Sequence, residues 1–205
     1  MAEIKFVSGS PLRAPLIVLH GTGGSVDDLI PIGRFLAPGS PIISIGAPLI
    51  EDGQSRYFRH LPKGGFDLAD LAIQTDWLLD EMSAAAAENR VPLAAAIVIG
   101  YSNGANVAVR ALMTRTVPYR TAVLFHPMSL GAITSFARPA DAEVWVSHGS
   151  RDAIVSAANF TALTDDLTQA GVRTTIFTHD QDHNLNEDEL KSARTWLQES
   201  GRLHL

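Results

Sequence analysis

The run Ala94-Ala95-Ala96-Ile97-Val98-Ile99-Gly100-Tyr101-Ser102-Asn103-Gly104-Ala105-Asn106-Val107-Ala108 constrains the fold more than any other stretch of the chain. Apolar, partly β-branched residues up to Ile99 predict a buried strand. The pattern breaks at Gly100-Tyr101-Ser102-Asn103-Gly104 and resumes as a small-residue helix. A G-x-S-x-G spacing between strand and helix puts the serine on a sharp turn with its Oγ exposed at the top of a sheet. The two glycines leave room for the neighbouring strand and helix. The new helix aims its first N–H groups at negative charge developing beside the serine. The spacing alone is weak, because glycine is common; the strand before it and the helix after it are the context it requires.

Strand and helix patterns alternate along the rest of the chain. A short edge strand is predicted at 4–7, then strands at 16–20, 42–45, 121–125, 143–148 and 172–178. Helices are predicted from a cap at Ser25 or Asp27 to about Leu36, from Phe66 to about Asn89, and from the serine turn to about Arg115. Two more follow, over 157–170 and from a cap at Asn184 or Asn186 to about Glu199. This alternation predicts an α/β fold: a mostly parallel sheet with helices on both faces. The whole of 1–205 reads as one domain without a cap domain. Residues 46–66 form the only long irregular segment and the only candidate lid.

Composition narrows the function. With 46% hydrophobic residues among 205, the chain can bury a sizeable core. A net charge of −6 with no Lys/Arg run argues against nucleic acid and against stable membrane association. The absence of cysteine excludes disulfides, thiolate catalysis and Cys-ligated zinc. No basic segment followed by an apolar run opens the chain, and no apolar stretch nears the roughly 20 residues that span a bilayer. A cytoplasmic location is the expectation, and the oligomeric state stays open, with a homodimer as one option.

In a parallel sheet, working residues collect at the C-terminal ends of strands. Strand 16–20 ends in His20-Gly21-Thr22-Gly23-Gly24, the central strand in Ser102, strand 143–148 in Asp152, and strand 172–178 leads to His183. The order Ser, Asp, His is that of an α/β-hydrolase triad. A serine hydroxyl needs a base, and His183 would supply it. Asp152 would fix the tautomer of His183 and steady its imidazolium. Two backbone N–H groups, from Thr22 and Asn103, would hold the oxyanion. Asp152 could cap the helix near Ser156 or accept from Arg151, and His179 competes with His183 but sits close to its strand. His20, His148 and His126 read as structural, with substrate contact as the alternative for His126. Phe58, Met128 and Ile154 are candidate walls of an acyl pocket, ordinary core being the competing reading.

The motifs His20-Gly21-Thr22-Gly23-Gly24, Gly53-Gln54-Ser55-Arg56-Tyr57-Phe58, Phe66-Asp67, Gly100-Tyr101-Ser102-Asn103-Gly104-Ala105, His148-Gly149-Ser150-Arg151-Asp152 and His183-Asn184-Leu185 together resemble the phospholipase/carboxylesterase family of α/β-hydrolases. The similar branch is the small bacterial one that includes hydroquinone-resistance hydrolases, related to acyl-protein thioesterases. The resemblance implies a minimal α/β-hydrolase fold that needs neither metal nor cofactor. It implies a small-molecule ester substrate and the triad Ser102, Asp152 and His183 with oxyanion donors at Thr22 and Asn103. A serine carboxylesterase acting on small or short-to-medium chain esters is the resulting expectation. A thioesterase or lysophospholipase of the same fold and a non-catalytic ligand receptor are its rivals. Asp182 stands where the family carries glycine, and a carboxylate there is expected to raise the pKa of His183 and compete with Asp152.

Overall fold

The computed structural model describes residues 3–62 and 64–204. Seven strands form the main sheet: β1 (Ile4–Val7), β2 (Leu16–Leu19), β3 (Ile42–Ile45), β6 (Ile97–Tyr101), β7 (Thr121–Phe125), β8 (Glu143–Gly149) and β9 (Arg173–His179). Their order is β1-β3-β2-β6-β7-β8-β9. All neighbours pair in parallel except β1, an edge strand antiparallel to β3. A separate hairpin joins β4 (Leu49–Glu51) to β5 (Gln54–Arg56). Five α-helices lie among the described residues: α1 (Ile30–Leu36), α2 (Leu68–Glu88), α3 (Asn103–Thr114), α4 (Ala157–Gln169) and α5 (Glu187–Glu199).

The two faces of the sheet make two separate cores. Ile17, Leu19, Val98, Ala122 and Leu124 point to one face, beneath α2, α3 and α4. Leu16, Val18, Ile97, Ile99, Val123 and Phe125 point to the other, beneath α1 and α5. The two-residue period of a strand therefore alternates between cores rather than between core and solvent, which is why these strands read as unbroken apolar runs.

Several sequence expectations are corrected. The helix expected from Ser25 or Asp27 begins at Ile30, with Leu29 at its N-cap position. Pro31 is the reason: a proline fits the first helical turn, where its missing N–H has no partner to lose, but breaks a helix interior. Ser25 instead donates to Asp28. The central strand starts at Ile97, because residues Leu93–Ala95 form a single 3₁₀ turn. The segment expected to be irregular holds the β4–β5 hairpin. Its turn is Asp52-Gly53, both with positive φ (50° and 76°), the left-handed pair that suits a two-residue hairpin.

The hairpin is anchored by the two residues that follow it. Tyr57 and Phe58 are fully buried. The Tyr57 hydroxyl donates to Ile45 O at 2.5 Å, and its backbone N–H donates to Asn103 Oδ1 at 2.7 Å. The hairpin is thus tied to the first residue of α3, beside Ser102.

The core predicts its own energetics. Leu78 is 0% exposed in α2, whereas Ile73 in the same helix is 65% exposed. Leu78→Ala is expected to lower the free energy of unfolding by about 3 kcal/mol and Ile73→Ala by less than about 1 kcal/mol. Urea denaturation of the two variants measures the contrast.

Candidate active site

Ser102 sits between β6 and α3 with φ 50° and ψ −112°, a left-handed conformation rare for a residue with a side chain. The fold holds it there from both sides. Its N–H donates to Phe125 O on β7, and its carbonyl accepts from Asn106 N–H in α3. The flanking glycines are required by close approach. A Cβ on Gly104 would lie 2.2 Å from Leu19 O, and one on Gly100 would lie 2.7 Å from Ala105 Cα.

Three side chains expected from different strand ends meet here. His183 Nε2 lies 2.9 Å from Ser102 Oγ, and His183 Nδ1 lies 2.6 Å from Asp152 Oδ2. Asp152 divides its carboxylate between two tasks. Oδ2 faces His183, while Oδ1 accepts from the N–H groups of Ile154 and Val155. The capping alternative fails: Ser156, and not Asp152, caps α4 by accepting from Asn159 N–H. The Tyr101 hydroxyl donates to His183 O at 3.1 Å, fixing the backbone that carries the imidazole; no sequence signal pointed to that role.

Electrostatics favour the form of each group that general-base chemistry needs. Burial would raise the carboxyl of Asp152, but the N–H of Val155, the His183 ring and the N–H of Ile154 outweigh it and hold its pKa below the ordinary carboxylate value. Burial lowers the pKa of His183 below its ordinary 6.5, the charge of His126 acting in the same sense, and the bond and charge of Asp152 do not restore it. The expected raising by Asp182 is therefore corrected. Its Oδ1 is occupied by the backbone and side-chain N–H groups of Asn184, at 2.9 and 3.0 Å, so it does not compete for the ring.

Thr22 and Ser102 line one cleft of about 370 Å³, together with Tyr101, Ile154 and His183. The N–H of Thr22 donates to no backbone acceptor among the described residues. That of Asn103 is at the first position of α3, where a helix has no internal acceptor. Both are therefore available as donors. The Asn103 side chain holds Tyr57 through Oδ1. Of the candidate pocket walls, Ile154 lies in the cleft and is 61% exposed. Phe58 does not, because it is buried edge-on against Phe66. Met128 faces a small separate cavity beside Asn106 and Leu163. Sequence distance could not separate these three; only the direction of each side chain does.

The other histidines have distinct partners. His20 donates from Nδ1 to Gly21 O and accepts at Nε2 from Ala47 N–H, bracing the glycine-rich loop. His148 bonds Val155 O and stacks on Phe160. His126 is fully buried, which removes it from substrate. Its Nε2, His179 Nε2 and Glu189 Oε1 are near enough to one another to hold a metal ion. The tautomer of His179 opposes this: Nδ1 accepts from Gln181 N–H, so Nε2 carries the hydrogen and has no lone pair for a metal. No helix among the described residues is long and apolar enough to cross a membrane.

A parallel sheet with a strained serine turn at its centre, and Asp and His delivered by later strand ends, defines the α/β-hydrolase class. Residues 68–198 match the dienelactone hydrolase family, and the chain belongs to that family. It is 31% identical over 185 residues to the hydrolase MhqD of Bacillus subtilis strain 168, across 90% of this chain and 92% of the relative. A carboxylesterase from Bacillus cereus superposes with a TM-score of 0.93 at 31% identity, covering 98% of this chain and 95% of that one. YahD, solved with malic acid, superposes with a TM-score of 0.92 at 35% identity, covering 97% and 99%. The resemblance carried by the motifs is thus met by hydrolase and carboxylesterase relatives.

Gly104→Ala tests the close approach that shapes the turn. The added methyl group meets backbone rather than a movable side chain, so the variant is expected to lose more than about 2 kcal/mol of stability. Thermal denaturation of wild type and variant checks it.

Proposed function

We propose that this hydrolase is a serine carboxylesterase, with Ser102 as nucleophile, His183 as general base and acid, and Asp152 as the carboxylate that orients it. One observation carries the reading: an unbroken line of hydrogen-bonding contacts runs from Asp152 Oδ2 through both nitrogens of His183 to Ser102 Oγ, with steps of 2.6 and 2.9 Å.

The reaction follows from that line. His183 Nε2 takes the proton of Ser102 Oγ as the oxygen attacks the ester carbonyl carbon. The carbonyl oxygen becomes an oxyanion, which the N–H groups of Thr22 and Asn103 receive. As the tetrahedral adduct collapses, the bond to the alkoxy group breaks and His183 returns the proton to the departing alcohol. Water then attacks the acyl-serine, again giving its proton to Nε2. A second collapse releases the carboxylic acid and restores Ser102. Asp152 stays ionised throughout and stabilises the imidazolium. The cleft is small and open, with Ile154 as its apolar wall, which suits small or short-to-medium acyl groups.

Ser102→Ala is expected to lower turnover of p-nitrophenyl acetate by at least about 10³-fold with the fold retained. A fluorophosphonate probe is expected to label the wild type at Ser102 and to leave the variant unmodified. Labelling elsewhere, or an active variant, contradicts the reading.

The pH dependence has a definite sign. A proton on Nε2 blocks the base, and burial lowers the pKa of His183. The acid limb of kcat/KM is therefore expected below pH 6.5, histidine's ordinary value, with near-full activity at pH 7. Steady-state kinetics from pH 4.5 to 8.5 measure the limb, and a midpoint above 6.5 would overturn the assignment of the buried imidazole as the base.

A further inference from the structure

His126 lies behind the candidate triad, and the proposed reaction gives it no task. It follows β7 directly, with φ 51°, so that two residues of this site, Ser102 and His126, hold left-handed backbone. Strain of that kind persists only where the surroundings over-determine it. The ring is completely buried. Nδ1 lies 3.3 Å from Asp152 Oδ2, the same oxygen that receives His183. Nε2 lies 3.0 Å from Glu189 Oε1, but off the direction of a hydrogen bond, so that neither atom has a directed partner.

Glu189 is itself fully buried. Its Oε2 accepts from Asn186 N–H, closing a capping box at the start of α5. Oε1 also faces His179 Nε2, at 3.7 Å. At Nδ1 the partner is a carboxylate oxygen already shaped as an acceptor, so Nδ1 carries a hydrogen and donates it.

We propose that His126 is a positioning residue for Asp152: it donates from Nδ1 to Oδ2, and the buried Glu189, 3.0 Å from Nε2, packs against its far side. Asp152 then accepts from four donors, two on each oxygen: Ile154 and Val155 on Oδ1, and His183 and His126 on Oδ2. No lone pair is left to pull the carboxylate off its line to His183. The same arrangement ties the carboxylate to the helix that follows the His183 loop, because Glu189 is the third residue of α5. The functional importance of this support rests on the esterase reading above; the contact itself does not.

Two substitutions separate positioning from packing. An asparagine amide falls near the place of Nδ1 and tolerates positive φ, so His126→Asn keeps the donor to Asp152. A glutamine amide falls near the place of Nε2, so His126→Gln keeps the contact with Glu189 and loses the donor. With p-nitrophenyl acetate, H126N is expected to keep kcat within about threefold of wild type. H126Q is expected to lose at least about tenfold in kcat, as a misplaced catalytic group does, with KM within about twofold. A wild-type kcat in H126Q, or an equal loss in both variants, overturns the proposal. Should either variant fail to fold, ¹⁵N NMR of histidine-labelled wild type decides. A protonated Nδ1 on His126 supports the donor, and a bare Nδ1 overturns it. An inactive, unlabelled wild type would sink the esterase reading, and the NMR result would still report on the contact.

Discussion

The crossing of α3 over the end of β2 is the constraint on which the rest of this molecule depends. Gly104 brings the helix backbone so near Leu19 O that a methyl group cannot be placed between them. That approach lets β6 turn into α3 within one residue, and the turn leaves Ser102 with φ 50°. A left-handed serine costs of order 1–3 kcal/mol. The cost is offset by the sheet on either side, since β6 pairs with β2 through four positions and with β7 through five. Without the two cores that clamp this sheet, the turn would relax and the hydroxyl would leave the cleft.

Around that serine, burial and hydrogen bonding act in opposite directions, and the outcome differs from residue to residue. For Asp152 the bonds prevail, and the carboxyl stays easy to ionise. For His183 burial prevails, and the imidazole stays easy to deprotonate. The result is an anion beside a neutral base, the pairing that general-base catalysis needs near neutral pH. The outcome follows from how many donors each group meets. Asp152 sits where a loop turns two N–H groups inward, whereas His183 has a single carboxylate on one edge and the serine on the other.

Some of this was legible in the chain alone. The G-x-S-x-G turn declared itself because an abrupt change from strand to helix period surrounds it, and Asp152 and His183 followed from the strand-end rule. The same rule pointed to His126 as a strand end near the site but could not tell substrate contact from support, since that depends on burial. Glu189 falls in the first turn of the last helix, where the dipole favours an acid. Its capping box with Asn186 had a sequence signature, N-x-x-E, but its approach to His126 has none. Local rules misjudged α1, where Pro31 delays the start. They also misjudged the 46–66 segment, where Asp52-Gly53 carried a hairpin signal inside an otherwise irregular composition.

By itself, then, the sequence determined the order of strands and helices outside the 46–66 segment, the turn that carries Ser102, and the placing of a Ser, an Asp and a His at successive strand ends. These are properties of nearest neighbours and of periodicity along one chain. Only the tertiary structure decided which groups face one another: Ile154 into the cleft and Phe58 away from it, Asp182 toward Asn184 rather than His183, and His126 between two buried carboxylates. Side-chain direction and burial arise from contacts between residues far apart in the chain, and spacing along the chain does not encode them.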